Sequence, residues 1–471
     1  MKLSKLDLKT MPRDKRFHFV GIGGIGMSAM AEAMHKWGFA VQGSNDVMNE
    51  NIESLRLRGI RAFIQHDISN LDGADYAVFS SAVPPDNIEI AEAKRRGLPI
   101  IARAEMLDTL MGLKKSIAIS GTHGKTTTTA FVGIMLDAAG FDPTIIDGGI
   151  INRYHSHNRI GGGEWIVAEA CEAFGNLKHF NADIAVVTNI DAEHMEFYKT
   201  FDNLKNYFRE FIARVPDDGL VVGYADHPAV AELLAEFKGR KNIAAYGLEA
   251  GDITARNIKF NAGGTTFDAE FAGGGVLAGL RIPLFGEHNA LNALAAIAIA
   301  RFLKIPDAKV KAAMLEFTGV KHRFSKVADT SGGIRIFDDY AHHPKEIETT
   351  LAMAREVAGK SKIFAILQPH RYSRLTNLFD GFARCFGAAD RVIIMPVYGA
   401  GEPAEGMKNS DDLYSAMKAA GANVLKVGHF DEIAPIILAD GKSGDMVVSL
   451  GAGSIKNLIY DLPAQMESAK K

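Results

Sequence analysis

Short apolar runs alternate with helical patterns along nearly the whole chain. The first run, at residues 17–20, is followed by a glycine-rich loop and then by a helical pattern from about residue 27 to residue 37. Such alternation is typical of parallel α/β sheets, because each helix carries the chain back across the sheet. No fixed-period repeat or low-complexity tract interrupts the pattern. The sequence therefore predicts an α/β fold throughout.

The predicted strands fall into three successive segments, and a length of 471 residues also suggests about three domains. The strands cover residues 17–20, 40–42, 76–80 and 99–102 in the first segment, 116–119, 165–168 and 184–187 in the second, and 335–337, 363–367, 391–395 and 446–450 in the third. The glycine-rich stretch 252–282 predicts an antiparallel section, and a helix from about 291 to 302 closes the second segment. We predict domains at 1–111, 112–318 and 319–471.

Composition limits the compartment and the partners. The formal net charge of -3 argues against a general electrostatic grip on nucleic acid. Two cysteines, Cys171 and Cys385, cannot form a disulfide framework, and no CxxC pair indicates zinc. No apolar run reaches the roughly 18 residues of a membrane span, and the N-terminus lacks the apolar core of a signal peptide. We therefore expect a cytoplasmic protein that binds neither nucleic acid nor membrane.

The strongest local motif is SGTHGKTT at residues 120–127, between a predicted strand and a predicted helix. In this context, backbone N–H groups and a helix N-terminus bind phosphate oxygens, a lysine reaches the β and γ phosphates, and a hydroxyl binds Mg²⁺. The standard motif has glycine where this chain has Ile119, so the loop is a variant. The alternative is a glycine turn that only caps a helix. The predicted nucleotide-binding residues are Gly121, Thr122, His123, Gly124, Lys125, Thr126 and Thr127.

A second glycine-rich loop, GIGGIG at residues 21–26, also lies between a predicted strand and a predicted helix. Asp46 follows the next strand, at about the spacing that places an acid on a ribose hydroxyl. The motif fits NAD, FAD or the diphosphate of a nucleotide sugar equally well, and a tight turn without a ligand is a further alternative. Two such loops in successive domains indicate two phosphorylated ligands, which is more specific than either loop alone.

Polar residues follow several predicted strands, at the edge where α/β sheets bind ligands. Glu169 ends one strand, and His194 closes the segment TNIDAEH after the next strand. A carboxylate and an imidazole at neighbouring strand ends can hold a divalent cation. The alternative is one solvated acid and one histidine with an ordinary partner.

The third segment carries the motifs FDDYAHHP at 337–344 and QPHRYSR at 368–374, each after a predicted strand. Arginine suits carboxylates and phosphates, because the guanidinium donates two parallel hydrogen bonds. Any one of these side chains alone is usually a surface residue, but their placement after strands favours an anion site. The candidates are Arg323, Asp339, His342, His370, Arg371 and Arg374.

Six blocks, in this order, together resemble the Mur ligase family. They are HFVGIGGIGMSAMAEAM, SGTHGKTTTT, TNIDAEH, GEHNALNALAAIAIA, DDYAHHPKEI and QPHRYSR, and they span nearly the whole chain. The first and last blocks look specifically like the branch of the family that adds L-alanine. A related branch, which adds a tripeptide to the same sugar nucleotide, has a different opening block.

The resemblance implies a Rossmann-like N-terminal domain that binds UDP-N-acetylmuramate and a central P-loop ATPase-like domain that binds ATP and Mg²⁺. It also implies a Rossmann-like C-terminal domain that receives L-alanine and closes over the site. The implied reaction is phosphoryl transfer from ATP to the lactyl carboxylate, followed by attack of the alanine amine on the acyl phosphate. Such a ligase acts in peptidoglycan precursor synthesis, and we expect a monomer or a homodimer.

The resemblance also assigns roles to individual residues. The implied catalytic residues are Lys125, His194, Arg323, Asp339, His342, Arg371 and Arg374, and the implied metal ligands are Thr126, Glu169 and His194. ATP contacts extend from the phosphate loop to His288, Asn289, Asn292 and Arg323. The implied substrate contacts are Gly21, Gly23, Gly24, Ile25, Gly26, Asp46, His370, Arg371 and Arg374.

The chain departs from the family pattern after Glu169. Many members carry a run of acids there, whereas this chain has Cys171, Glu172, Ala173 and Phe174, while Glu193 and Ser454 replace frequent aspartates. These departures affect the region of the metal ligands and of the choice among L-alanine, glycine and L-serine. Two alternatives from other classes are an NAD-dependent dehydrogenase and a sugar-nucleotide-binding paralogue without catalysis. The dehydrogenase leaves the phosphate loop unexplained, and the intact Lys125 argues against the paralogue.

Overall fold

Three β-sheets flanked by helices contain the strands of the chain. The structure is a computed structural model, and it describes residues 6–80, 82–84, 86–261 and 263–469. The α/β fold predicted from the alternating pattern is confirmed. Among the described residues, no helix combines the length and the apolar character needed to cross a membrane.

The first sheet has five parallel strands in the order β3-β2-β1-β4-β5. Its strands are β1 Arg16–Val20, β2 Ala40–Asn45, β3 Arg61–Ile64, β4 Tyr76–Phe79 and β5 Ile100–Ala102. Its helices are α1 Ile25–Lys36, α2 Glu50–Leu57, α3 Ile88–Arg95 and α4 Arg103–Met111. The strand order reverses beside β1, so the glycine-rich loop that leaves β1 lies at the kind of crevice where such sheets bind ligands.

The second sheet has ten strands in the order β15-β14-β13-β12-β11-β10-β6-β9-β7-β8. Its strands are β6 Lys115–Ser120, β7 Thr144–Ile151, β8 Ser156–Arg159, β9 Trp165–Glu169, β10 Ile184–Val187, β11 Leu220–Tyr224, β12 Ile243–Gly247, β13 Ile253–Asn261, β14 Gly264–Phe271 and β15 Val276–Ile282. Its helices are α5 Lys125–Ala139, α6 Met195–Tyr198, α7 Phe201–Ala213, α8 Pro228–Phe237, α9 Glu287–Phe302 and α10 Asp307–Glu316. The predicted antiparallel section is confirmed by the β14–β15 pair, and the central strands are parallel.

The third sheet has six strands in the order β16-β17-β21-β18-β19-β20, and only β16 runs antiparallel to its neighbour. Its strands are β16 Ser325–Asp329, β17 Arg335–Asp339, β18 Ile363–Leu367, β19 Arg391–Ile394, β20 Val424–Lys426 and β21 Met446–Leu450. Its helices are α11 Pro344–Ala358, α12 Tyr372–Asn377, α13 Phe379–Arg384, α14 Ser410–Ala419, α15 Ile433–Asp440, α16 Ile455–Leu458 and α17 Leu462–Ser468.

The described residues form two compact units. The first unit combines Met1–Lys259 with Gly264–Thr318, and the second combines Phe260–Gly263 with Gly319–Lys471. The first two sheets share a unit because one core of buried side chains runs through both, from Met106 and Leu110 in α4 to Leu177 and Phe180 in the central segment. The domain boundaries at 111 and 318 stay predictions.

Candidate active site

The loop between β6 and α5 has the backbone of a phosphate-binding loop. Gly121 and Gly124 have backbone φ angles of +135° and +81°, which residues other than glycine rarely adopt. A Cβ atom on Gly124 would also lie 2.7 Å from the Asn292 side-chain oxygen. Glycine is therefore required at both positions, and Asn292 lies directly against the loop, where the sequence predicts an ATP contact.

Lys125 is held by partners at the start of α5. Its ammonium donates to the backbone carbonyls of Gly121 and Thr122, the second at 2.9 Å, and lies 2.9 Å from a carboxylate oxygen of Glu172. Burial lowers the pKa of Lys125, but the negative charges of Glu172 and Glu169 outweigh burial and raise it overall. The lysine is therefore charged and already oriented.

Thr126 and Glu169 meet beside this lysine, because β6 and β9 are neighbouring parallel strands. The Thr126 hydroxyl donates to Glu169 Oε2 at 2.9 Å, and the Gly148 N–H donates to the same oxygen at 3.2 Å. A Cβ on Gly148 would come within 2.5 Å of that oxygen, so glycine keeps the space around the carboxylate open. A hydroxyl and a carboxylate are hard oxygen donors of the kind that Mg²⁺ prefers, and the pair fits this ion.

His194 differs from these two predicted metal ligands. It has a left-handed backbone before α6, its Nδ1 lies 3.6 Å from a Glu196 oxygen, and its ring lies 6.0 Å from that of Phe174. Among the described residues, no group of three or more His, Cys, Asp or Glu side chains is arranged to hold a metal ion. The structure thus brings Thr126 and Glu169 together, while the role of His194 stays a prediction.

The segment after β10 braces the phosphate loop. The Thr188 hydroxyl donates to the His123 carbonyl at 2.6 Å, and the His123 N–H donates to Asn189 Oδ1 at 2.8 Å. Both residues belong to the TNIDAEH block, whose position after a buried strand indicated a site without indicating this bracing role. Glu172 was likewise visible in the sequence only as an acid near Glu169.

The predicted adenine-side residues lie at the start of α9. Asn292 accepts from the Thr128 hydroxyl at 3.2 Å and donates to Asn289 at 3.3 Å. Burial lowers the pKa of His288 to about 4, so this ring is uncharged at neutral pH. The helix begins at Glu287, earlier than the predicted 291, because Gly286 with φ +96° ends the preceding loop.

The glycine-rich loop after β1 is fixed by the end of β2. The N–H groups of Gly21 and Ile22 both donate to the Ser44 carbonyl at 2.9 Å, and Gly23 N–H donates to Asn45 Oδ1 at 3.2 Å. A Cβ on Gly23 would lie 2.8 Å from the Asn45 side chain, so any larger residue here would displace the amide that holds the loop. Gly24 and Ile25 follow as the N-cap and first residue of α1, and Gly26 lies within its first turn.

Asp46, the predicted ribose ligand, is oriented by a buried network. Its carboxylate is 78% exposed and lies 3.1 Å from His66 Nε2, while His66 Nδ1 lies 3.1 Å from Glu89. The hydrogen bond to Glu89 outweighs burial and raises the pKa of His66. His18 Nε2 lies 3.2 Å from the same Glu89 carboxylate, which is fully buried. This network could not be inferred from sequence spacing.

In the second unit, Asp339 lies at the end of β17. Its carboxylate accepts from the N–H groups of Phe324 and Ala341, each at 2.7 Å. Burial raises the pKa of Asp339 to about 6, although the nearby Arg323 charge opposes this shift. Arg323 is exposed and its guanidinium carbon lies 5.7 Å from the centre of the Tyr340 ring. The structure therefore brings Arg323 and Asp339, two of the implied catalytic residues, close together.

The predicted amino-acid site gathers at the ends of β17 and β18. The rings of His342 and His370 are 5.9 Å apart, and Arg374 Nη1 donates to His370 Nδ1 at 3.0 Å. Burial lowers the pKa of both histidines, that of His370 to about 4 with help from Arg374. Arg371 is 51% exposed and lies 3.6 Å from Glu402, which the sequence analysis did not single out. The cluster is therefore rich in positive charge.

Comparison with known proteins gives the same family that the six sequence blocks indicate. Residues 16–115 match the Mur ligase family catalytic domain, 119–300 match the Mur ligase middle domain, and 322–453 match the Mur ligase glutamate ligase domain. UDP-N-acetylmuramate–L-alanine ligase of Azorhizobium caulinodans is 44% identical over 456 residues, which cover 96% of this chain and 97% of that protein. The enzyme of the same name from Rhodospirillum rubrum is 44% identical over 471 residues, with 98% and 97% covered.

Solved structures agree on the fold. UDP-N-acetylmuramate–alanine ligase from Thermotoga maritima superposes with a TM-score of 0.81 at 30% identity, covering 97% of this chain and 100% of that one. A murein peptide ligase from Psychrobacter arcticus superposes with a TM-score of 0.68 at 23% identity, covering 96% and 98%, which shows the shared fold alone.

Proposed function

The chain belongs to the Mur ligase family, and we propose that it joins L-alanine to the carboxylate of UDP-N-acetylmuramate in a reaction driven by ATP. The family resemblance drawn from the six sequence blocks is thereby confirmed. Curated relatives with this activity match nearly the whole chain, which leaves the dehydrogenase alternative without support. The structural observation that carries the proposal is the charged, oriented Lys125 at the phosphate loop, beside the Thr126–Glu169 pair.

The geometry suits carboxylate activation. The transferred phosphoryl group develops charge that must be stabilised by groups already in place, since their reorientation would add to the barrier. Lys125 supplies a fixed cation, and Asn292 and Asn189 hold the loop from both sides. Thr126 and Glu169 are the residues that would hold Mg²⁺, which when bound would neutralise phosphate charge.

The sugar nucleotide and the amino acid would be bound by the N-terminal and C-terminal parts of the chain. The loop after β1 offers a helix N-terminus and the exposed Asp46 to the diphosphate and ribose of the sugar nucleotide. In the second unit, Arg371 and Arg374 would hold the carboxylate of L-alanine while its amine attacks the acyl phosphate. Both cysteines, Cys171 and Cys385, are free thiols, which fits the proposed cytoplasmic location.

The experiment that tests this function is phosphate release from ATP with UDP-N-acetylmuramate and one amino acid at a time. We expect release only when the sugar nucleotide and an amino acid are both present, strongest for L-alanine and weaker for glycine and L-serine, which differ from L-alanine by few atoms. Release with a tripeptide but not with L-alanine would reassign the chain to the tripeptide-adding branch.

A binding measurement tests the first substrate separately. Calorimetry on the full chain without ATP should detect UDP-N-acetylmuramate, because the donors of the loop after β1 are already fixed by Ser44 and Asn45. NAD should show no comparable affinity. Binding of NAD without binding of the sugar nucleotide would contradict the proposal.

A further inference from the structure

The segment His322–Phe324 is a strained turn that carries Arg323. His322 has φ +64° and Phe324 has φ +44°, a left-handed conformation that is uncommon outside glycine and is least favourable for a bulky residue such as Phe324. Arg323 lies between them and is exposed, whereas Phe324 is buried. Such strain persists only where surrounding contacts over-determine the backbone, and it concentrates at functional sites.

Both ends of this turn are fastened to β17. The Tyr340 N–H donates to the His322 carbonyl at 2.7 Å, and the Phe324 N–H donates to Asp339 Oδ2 at 2.7 Å. The Phe324 ring stacks on Phe337 with centroids 4.6 Å apart and planes 15° apart. The backbone on each side of Arg323 is therefore fixed from the same strand.

The His322 side chain adds a third attachment, to the neighbour of Asp339. Its Nδ1 donates to Asp338, and the Ser449 hydroxyl donates to the other oxygen of Asp338 at 2.9 Å. Asp338 and Ser449 are paired across β17 and β21, and both are fully buried. A buried carboxylate must keep its donors, so Asp338 holds the imidazole in one place. Tyr460 packs edge-on against the ring at 6.2 Å.

We propose that His322 is a positioning residue for Arg323. The hydrogen-bonded chain Ser449–Asp338–His322 and the hydrogen bond from Phe324 to Asp339 together hold the strained turn, so that the backbone of Arg323 has one orientation. This inference rests on the proposed function and on the family resemblance, which implies that Arg323 contacts ATP. A guanidinium on a fixed backbone loses less freedom when it binds phosphate, and a small displacement of such a group is costly for phosphoryl transfer.

The test uses the full chain and a double-mutant cycle. His322→Ala removes the donor to Asp338 and should lower kcat about 10- to 100-fold, the cost of displacing a positioned group. The KM for L-alanine should stay the same. Arg323→Ala should lower kcat at least as far, and His322→Ala combined with Arg323→Ala should be no worse than Arg323→Ala alone, since both act through one side chain.

A conservative variant separates positioning from simple stability. Asparagine tolerates the left-handed conformation, and its amide can donate to Asp338, so His322→Asn should recover most of the lost kcat. The matched control is His429→Ala, an exposed histidine of the same unit, which should leave kcat unchanged. If His322→Ala folds poorly, Ser449→Ala can be measured in the same way, because it removes a second donor to Asp338.

Each result has a distinct meaning. Wild-type protein without phosphate release would defeat the proposed function itself. Active wild-type protein with an unaffected His322→Ala variant would overturn this inference and leave the function intact. Losses that add in the double variant, with no recovery in His322→Asn, would also overturn it, because they would show that His322 does not act through Arg323.

Discussion

The phosphate loop of the first unit and the arginine–histidine cluster of the second unit differ in how their charged side chains are paired. In the loop, Lys125 is already paired with the buried Glu172 at 2.9 Å. In the cluster, Arg371 is half exposed, and its guanidinium lies 3.6 Å from a carboxylate oxygen of Glu402. The histidine beside this arginine, His370, has a pKa lowered to about 4 and adds no charge at neutral pH.

The two arrangements suit different roles. A loop that carries its own counterions can keep a lysine charged and fixed before ATP arrives, which suits the stabilisation of a transition state. A cluster that places two guanidinium groups beside uncharged imidazoles at the ends of two strands suits the binding of an anionic substrate. We expect changes in the loop to affect kcat and changes in the cluster to affect the KM of one substrate.

The largest expected effect is that of Lys125→Ala. Removing the fixed cation should lower kcat for phosphate release by at least about 10²- to 10³-fold, with little change in the KM for L-alanine. The same change leaves Glu172 buried without its partner, so the melting temperature should also fall. Steady-state kinetics and a thermal melt on the same sample measure the two effects.

The control for this variant separates chemistry from stability. Lys125→Ala with Glu172→Gln removes the unpaired charge, so the double variant should regain stability without regaining activity. Near-normal phosphate release by either variant would show that the loop lysine does not act on ATP.

The next effect concerns the metal. Glu169→Gln keeps the volume of the side chain but weakens an oxygen ligand, so the Mg²⁺ concentration for half-maximal activity should rise about 10- to 100-fold. High Mg²⁺ should restore part of the activity. Glu164→Gln, an exposed acid before β9, is the matched control and should leave the Mg²⁺ dependence unchanged. An unchanged dependence in Glu169→Gln would remove this residue from the metal site.

Much of the sheet framework could be predicted because its strands are buried on both faces. Ile184–Val187, Ile363–Leu367 and Met446–Leu450 are buried at every position and were predicted with the observed bounds. The strands Arg61–Ile64 and Ser325–Asp329 were missed, since the first has only one buried residue, the second has none, and both carry polar side chains.

The candidate site was only partly predictable for a different reason. Glu169 ends β9, and Lys125 and Thr126 begin the helix after β6, so their positions depend on strand ends that the sequence reveals. The pairing of Glu172 with Lys125 depends on a turn in which Phe174 has φ +55°, and no periodicity predicts such a conformation for phenylalanine. Residues that act through tertiary contacts of this kind become visible only in the fold.

In the cluster, Arg371→Ala and Arg374→Ala should raise the KM for L-alanine about 10-fold or more, because each removes a charged donor to its carboxylate. The KM for UDP-N-acetylmuramate should change little. Arg371→Lys should also be harmful, since an ammonium cannot replace a planar fork. Steady-state kinetics in each substrate distinguish this outcome from its rival, in which both variants weaken only ATP and the site holds phosphate instead.

The smallest expected effect is a pH dependence of stability that His370 confers. Burial, Arg374 and His342 lower its pKa from 6.5 to about 4, so between these values the unfolded chain binds more protons than the folded one. Stability should therefore fall as pH drops from 6.5 towards 4, and the half-exposed ring limits the loss to about 1–2 kcal/mol. Melting temperatures of wild type and His370→Asn at pH 7 and pH 5 measure it: the variant should lose less on acidification, whereas His429→Asn, which changes an exposed ring, should follow wild type. An equal loss in wild type and His370→Asn would show that the ring is charged in the folded cluster. The cluster would then carry one more positive charge in the comparison with the phosphate loop, where Lys125 is paired with Glu172.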